Sequence, residues 1–471
     1  MRVLIINTSE RIGGAAIAAN RLMDALRNNG IQAKMLVRDK QTENIAVNGL
    51  NKSLWKIWQF IWERAVIWMA NRFKQHNLFE VDIANTGTDI TSLPEFTQAD
   101  VIHLHWVNQG MLSLTDIRRI IDSGKPIVWT MHDMWPFTGI CHYAGECDKY
   151  TTHCEHCPIL YKGNKKDLSY QVFQQKEKMF NGSKISFVTC SQWLGEMARK
   201  SHLLQHHSIT SIPNAINTNL FKPRDKAIAR ERLNLPTDKK LLLFGSVKTT
   251  DKRKGIHYLV EACQILASTQ PEFCKNLGVV ILGKQSELYE SLFPFPIYSM
   301  GYVNNEKQLT DIYNAVDLYV TPSLQDNLPN TIMEAMACGV PCVGFNVGGI
   351  PEMIDHLHNG YVADYKSAED FANGIHWTLD EGEYPSLSEE AFRKVTSSYS
   401  ESAVARKYID IYNSLIGNHE MLVTTPSQVL HHYRNLQCGQ GIGRHHPKCR
   451  LPDIPKCGVH HCGWRFKRQY A

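Results

Sequence analysis

Residues 316–354 read VDLYVTPSLQDNLPNTIMEAMACGVPCVGFNVGGIPEMI, and the succession of periods within them decides the fold class. Asp317 to Thr321 is a short apolar run rich in strand formers, and Pro322 to Asn330 is dense in turn residues. Thr331 to Ala337 is a strong helix former closed by Gly339, and Pro341 to Phe345 is a second apolar run. Strand, loop, helix and strand in this order make one unit of a parallel sheet, so the chain is expected to be α/β. Asn330 or Thr331 is expected to cap the helix. Its first N–H groups and positive dipole end then face the crevice above the strand ends, where an anionic ligand binds. Asp326 in the loop and Glu334 about one turn into the helix flank that seat, so carboxylates can take hydroxyls while the backbone takes phosphate. A sugar nucleotide, with many hydroxyls and one diphosphate, suits such a place.

The D-x7-E spacing of Asp326 and Glu334, followed by AMACGVP and VGGIPE, closely resembles the E-x7-E region of retaining glycosyltransferases of family 4. The resemblance implies the GT-B fold, two Rossmann-like domains facing an interdomain cleft, with Asp326 on the donor sugar and Glu334 on the ribose. The first acid of that family is usually Glu, so Asp326 is one methylene shorter than the pattern. Asn327, Leu328, Asn330 and Thr331, the turn and helix start between the acids, are the expected remaining donor contacts.

With 471 residues, 43% apolar and 21% charged, the chain can build two or three cored domains. A net charge of +5 suits anionic substrates or lipid headgroups and falls short of a nucleic-acid-binding profile, so no nucleic-acid partner is expected. MRVLIINTS enters a strand without a cleavable apolar leader, and no run reaches the length of a membrane span. The thirteen cysteines fit a reducing compartment. The expected location is cytoplasmic, with at most peripheral contact at the inner face of the membrane.

Arg2 to Ser9 reads as a buried strand, Gly13 and Gly14 as a turn, and Ala15 to Asn29 as a helix. The glycine pair lets a ligand approach the backbone, and the resemblance implies a part in donor binding; the alternative is a turn chosen only for positive φ. Residues 52–74 place Trp55, Trp58 or Gln59, Trp62, Val66, Met69 and Phe73 along one helical stripe among cations. That stripe suits a membrane interface, where a lipid-linked acceptor is found, and it also suits a helix packed on its own domain. DVIHLHW (100–106) and PIVWTMHD (126–133) are strands carrying histidine at their ends. The T-x-H-D match implies that His132 hydrogen-bonds the transferred sugar, whereas His103 and His105 read as structural.

The loop 138–158 holds Cys141, Cys147, Cys154 and Cys157 in a C-x5-C-x6-C-x2-C spacing. They are expected to bind one structural zinc, with His142, His153 and His156 as substitutes in the ligand set, and with two disulfides or unrelated thiols as the alternative. Similar loops occur in bacterial exopolysaccharide glycosyltransferases, relatives of the colanic acid enzymes among them. KISFVTCS (184–191) is the last clear strand before the second domain, which opens near SIPNAINTNLF. Arg253 and Lys254 stand just before a helix start, where two cations neutralise a diphosphate, and Lys254-Gly255 matches the family's K-G signature. The expected domains are 1–205 for the acceptor, 206–387 for the donor, and 388–416 as helices crossing back. Residues 417–471 read as a Cys/His-rich basic tail without a core of its own, expected to be disordered.

The expectation is a glycosyltransferase of polysaccharide biosynthesis that moves a sugar from a nucleotide-diphosphate donor to a glycan acceptor, expected to be lipid-linked, with retention of configuration. His132, Asp326 and Lys254 are its expected catalytic residues; Gly13, Gly14 and Arg253 join the donor contacts, and catalysis needs no cofactor. The alternatives are a sugar-nucleotide epimerase on the same fold and a non-catalytic, zinc-containing nucleotide-sugar binding module.

Overall fold

In the sequence RVLIINTS, alternate residues face opposite ways and the run Val3 to Ile6 is apolar throughout, so the strand can bury both faces. The computed structural model, which describes residues 1–50 and 54–423, shows this directly. Leu4 and Ile6 join one hydrophobic core and Val3 and Ile5 another, on the two sides of one sheet. That sheet consists of β1 (Arg2–Ser9), β2 (Gln32–Asp39), β3 (Val47–Gly49), β4 (Val101–Leu104), β5 (Ile127–Met131), β6 (Ile185–Thr189) and β7 (Ser208–Ser211). Its order is β3-β2-β1-β4-β5-β6-β7, all parallel. A second parallel sheet holds β8 (Lys240–Lys248), β9 (Leu277–Lys284), β10 (Ile297–Gly301), β11 (Leu318–Thr321), β12 (Cys342–Phe345) and β13 (Gly360–Ala363), in the order β10-β9-β8-β11-β12-β13. Here Leu241 and Leu243 face one core and Leu242 and Phe244 the other. Both sheets lie in the unit Met1–His419. In each, strand order reverses beside the first strand, at β1/β4 and at β8/β11, which is where α/β sheets bind ligands.

Three expected boundaries move. The first sheet does not end at KISFVTCS: β7 adds a half-exposed edge strand, so the first domain runs past 205 to at least Ser211. SITS was not legible because it is short, polar and only half buried. Of the span 388–416, Ala391, Val395 and Tyr399 still pack in the core of the second sheet. The return to the first domain is made by the helix Glu401–Val423, whose Val404, Ala405, Tyr408 and Tyr412 join the core around β1. The tail beyond 423, with Cys438, Cys449, Cys457 and Cys462, lies outside the described residues, as does Lys52.

The first helix is α1 (Gly14–Asn28), and the tryptophan-rich stretch forms the second, α2 (Leu54–Ala70), which turns Gln59, Glu63 and Arg64 inward. Gln59, Glu63, Arg64 and, just beyond its end, Asn71 are buried, while Trp58 is 64% and Trp62 55% exposed, with Ile57, Ile61, Trp68, Met69 and Phe73 also exposed. The cause is the neighbouring segment around 78–87, which has almost no sheet partner and needs side chains to satisfy its backbone. Glu63 accepts the N–H groups of Ile83 and Ala84, both at 2.8 Å; Arg64 donates to Val81 O at 3.0 Å, and Gln59 to Gly87 O at 2.6 Å.

Candidate active site

The helix at the centre of the quoted stretch spans Asn330–Ala337, and its N-cap is Pro329 with no side-chain cap, so the cap expected from Asn330 or Thr331 is not made. Proline supplies the extended backbone before the first turn without a hydroxyl, and the two residues after it are used otherwise. Asn330 donates to Gly14 O at 3.1 Å and accepts from Asn214 at 3.0 Å, while Thr331 accepts from the Tyr319 hydroxyl at 2.7 Å. The Gly13-Gly14 turn and the donor helix therefore meet across the cleft. Gly13 takes a φ of +93° with open space where a Cβ would stand.

Asp326 is buried, receives Lys254 Nζ at 2.5 Å and accepts from Ser323 at 3.3 Å. Burial works against its charge, yet Lys254 and Arg253 hold its carboxyl below the usual carboxylate range. Backbone approach makes this pairing possible: Gly255 has a φ of +66°, and a Cβ there would stand 2.0 Å from Pro322 O. That contact presses the K-G loop against the loop of Asp326. Arg253 donates to Gln325 O at 2.8 Å, and its guanidinium lies 5.3 Å from the centroid of Tyr143, a ring delivered by the cysteine-rich loop of the other domain.

Glu334 is buried, accepts from the Tyr313 hydroxyl at 2.8 Å, and pairs with Arg21 of the first domain at 2.8 Å. Arg21 also meets Glu306 at 3.0 Å and stacks over Phe221, while its buried Nη1 has no hydrogen-bond partner. Burial opposes its charge, but Glu334 and Glu306 keep it above its ordinary value. Asn327 bridges the domains, accepting from Ser191 at 2.5 Å and donating to His132 O at 3.1 Å. Leu328 instead packs into the second core.

His132 stands at the end of β5, with Nε2 against His105 Nδ1 at 2.9 Å and Nδ1 near Cys190 Sγ at 3.4 Å. Burial lowers it to about 4, so it is neutral. His103 is satisfied by Thr130 and Tyr412 at 2.8 and 2.7 Å, in line with a structural role. Next to this chain, His142 is clamped between Asp133 at 2.7 Å and Asp82 at 2.6 Å. Desolvation disfavours its charge, but the two carboxylates raise it to about 10. Arg64 of α2 also pairs with Asp82, tying the exposed aromatic helix to the cleft wall.

Arg21, Tyr143 and Glu352 escaped the sequence reading, and His142 was read only as a substitute zinc ligand. Only Glu352 left a signal, the final residue of VGGIPE; its carboxylate accepts the N–H groups of Gln192 and Trp193 at 2.8 and 2.7 Å, at the start of a first-domain helix. The other three meet their partners only through the closing of the two domains or of the loop.

Residues 12–220 match the family described as Glycosyltransferase Family 4, and residues 238–381 match Glycosyl transferases group 1. The D-inositol 3-phosphate glycosyltransferase of Thermobispora bispora is 25% identical over 332 residues, 67% of this chain and 71% of that one. WcaC, a glycosyl transferase assigned to colanic acid biosynthesis in Escherichia coli, is 23% identical over 69% of this chain and 78% of its own. The structure of Anabaena HepE in complex with UDP-glucose shares the fold with a TM-score of 0.58 at 15% identity, over 88% of this chain and all of that one. The two matched segments cover the first sheet except β1 and the whole of the second, and meet at the cleft just described; the chain belongs to the family 4 glycosyltransferases of GT-B fold.

Proposed function

We propose that this glycosyltransferase takes its sugar from a uridine diphosphate donor and passes it, with retention, to a lipid-linked glycan acceptor presented at a membrane surface. The observation that carries this reading is the buried Lys254–Asp326 pair beside Arg253, at the start of the helix Asn330–Ala337. A diphosphate seated there meets the helix dipole and two cations, which stabilise the charge that grows on it as the anomeric C–O bond breaks. The acceptor oxygen bonds the anomeric carbon, and its proton leaves with the nucleoside diphosphate. Asp326 then faces the sugar and Glu334 the ribose, and neutral His132 exchanges its long contact to Cys190 for a sugar hydroxyl. The uridine donor is supported by the UDP-glucose held by the HepE structure.

The membrane part of the reading is supported by α2, whose Trp58, Trp62 and Trp68 are exposed while Gln59, Glu63 and Arg64 are buried. No described helix is long and apolar enough to cross a membrane, so contact would be peripheral. A panel of nucleotide sugars tests the donor: the right one, at a hundred times its dissociation constant, stabilises the protein by about 2.7 kcal/mol. Transfer to a lipid-linked acceptor, with the product anomer identified by NMR, tests the rest. Epimerised nucleotide sugar without any acceptor would favour the epimerase instead, and binding without turnover the non-catalytic module.

A further inference from the structure

The loop that brings Tyr143 to Arg253 has little regular structure beyond short single turns, so something other than a backbone ladder has to hold it. Its four thiols, Cys141, Cys147, Cys154 and Cys157, line one cavity of about 20 Å³, room for a single water-sized particle. All four are free thiols, three of them buried.

A second observation concerns charge. Lys176 is fully buried and donates only to neutral carbonyls, Trp135 O at 2.5 Å and, on the cavity wall, Thr138 O at 3.1 Å, with its ammonium 3.5 Å from the Trp135 ring centroid. Among the described residues no carboxylate pairs with it. Asp82 and Asp133 are taken by His142, and Thr138, whose carbonyl Lys176 meets, lies on the same cavity wall as Cys141 and Cys154. A buried ammonium without a counter-charge is costly, and thiolates would supply one.

We infer that Cys141, Cys147, Cys154 and Cys157 bind one zinc ion as a closed structural site, with Lys176 as its buried counter-ion, and that this staple fixes the loop that seats Tyr143 on Arg253. On binding, the four thiols give their protons to solvent. The resulting zinc tetrathiolate carries two negative charges, one of them offset by Lys176. With all four positions filled by sulfur, the ion has no place for water or substrate and does no chemistry. Among the described residues no three His, Cys, Asp or Glu side chains are preset to hold a metal, so binding requires the sulfurs to turn from the cavity wall toward its centre.

The test uses the full chain with Cys438, Cys449, Cys457 and Cys462 changed to Ser and His431, His432, His445, His446, His460 and His461 changed to Asn, which removes the tail's clustered metal ligands. Elemental analysis should give one zinc per chain, and X-ray absorption four sulfurs at about 2.3 Å. Adding Cys154→Ser and Cys157→Ser should abolish the zinc, and Lys176→Met should weaken its retention against a chelator by roughly 10- to 100-fold. A reduced parent protein that takes up no zinc, or whose four loop thiols react freely in the native state, overturns the site. Zinc retained at full stoichiometry after Cys154→Ser and Cys157→Ser overturns the ligand assignment. None of these readouts involves the donor, so the zinc site and the proposed transfer stand or fall separately.

Discussion

Replacing Arg21 by Met removes the cation that joins the two domains at Glu334. Arg21 and Glu334 side chains are only 8% and 6% exposed, so deleting one partner strands the other in a site of low polarity. Breaking a buried pair in this way costs about 3 to 5 kcal/mol. The lower end applies here, because Tyr313 still donates to Glu334 after Arg21→Met, and Glu306, itself 41% exposed, still faces Arg21 after Glu334→Gln. Each single variant should therefore lose about 3 kcal/mol. The double variant buries neither charge and should lose less than the sum, with a coupling of about 2 kcal/mol. Urea unfolding of the four proteins measures the cycle. Additivity to within about 0.5 kcal/mol would mean that the two side chains do not meet in solution. The same variants address the donor. Glu334→Gln should weaken nucleotide-sugar binding by about 1.5 to 3 kcal/mol, since a charged hydrogen bond to the ribose is lost, whereas Arg21→Met leaves that carboxylate in place. Unchanged affinity in a folded Glu334→Gln protein would take Glu334 out of the donor site.

Lys254→Ala should lower turnover more than donor affinity, because the charge it meets grows as the sugar departs; a loss confined to affinity in steady-state kinetics would contradict that role. Acid should destabilise the protein through its buried histidines. His132 is lowered to about 4 and His103 to about 3 by burial, against roughly 6.5 in the unfolded chain, so the unfolded state takes up protons first. Their contribution is complete above pH 6.5 and is lost as the pH falls through 4 and then 3, at about 1.4 kcal/mol per pH unit for each excluded proton. Urea midpoints that stay flat from pH 6.5 to 4.5 would refute it, and His103→Asn should shallow the slope. Trp58→Gln with Trp62→Gln should leave the fold intact, since both side chains are exposed, and should release the protein from anionic vesicles in a flotation assay; retention unchanged from the parent would remove α2 from the membrane reading.

The sequence alone determined what rests on short-range pattern. Apolar runs with residues on both faces specified buried parallel strands, and the glycines of K-G and VGGIP specified close backbone approaches that admit no side chain. A Cβ at Gly255 would stand 2.0 Å from Pro322 O, and one at Gly348 1.8 Å from Asp326 O. Those constraints are local, so residues 316–354 sufficed to place Asp326 and Glu334 around one helix start, and the K-G stretch to nominate Lys254 beside them. Only the tertiary structure decided who their partners are. Arg21 lies 313 residues from Glu334, and Arg253 meets a ring from a loop of the other domain, encounters set by how two sheets close on each other. The same holds for α2: its helical period was legible, but which stripe faces inward was settled by the unpaired backbone around 78–87, whose donors and acceptors outweighed the usual preference for burying tryptophan.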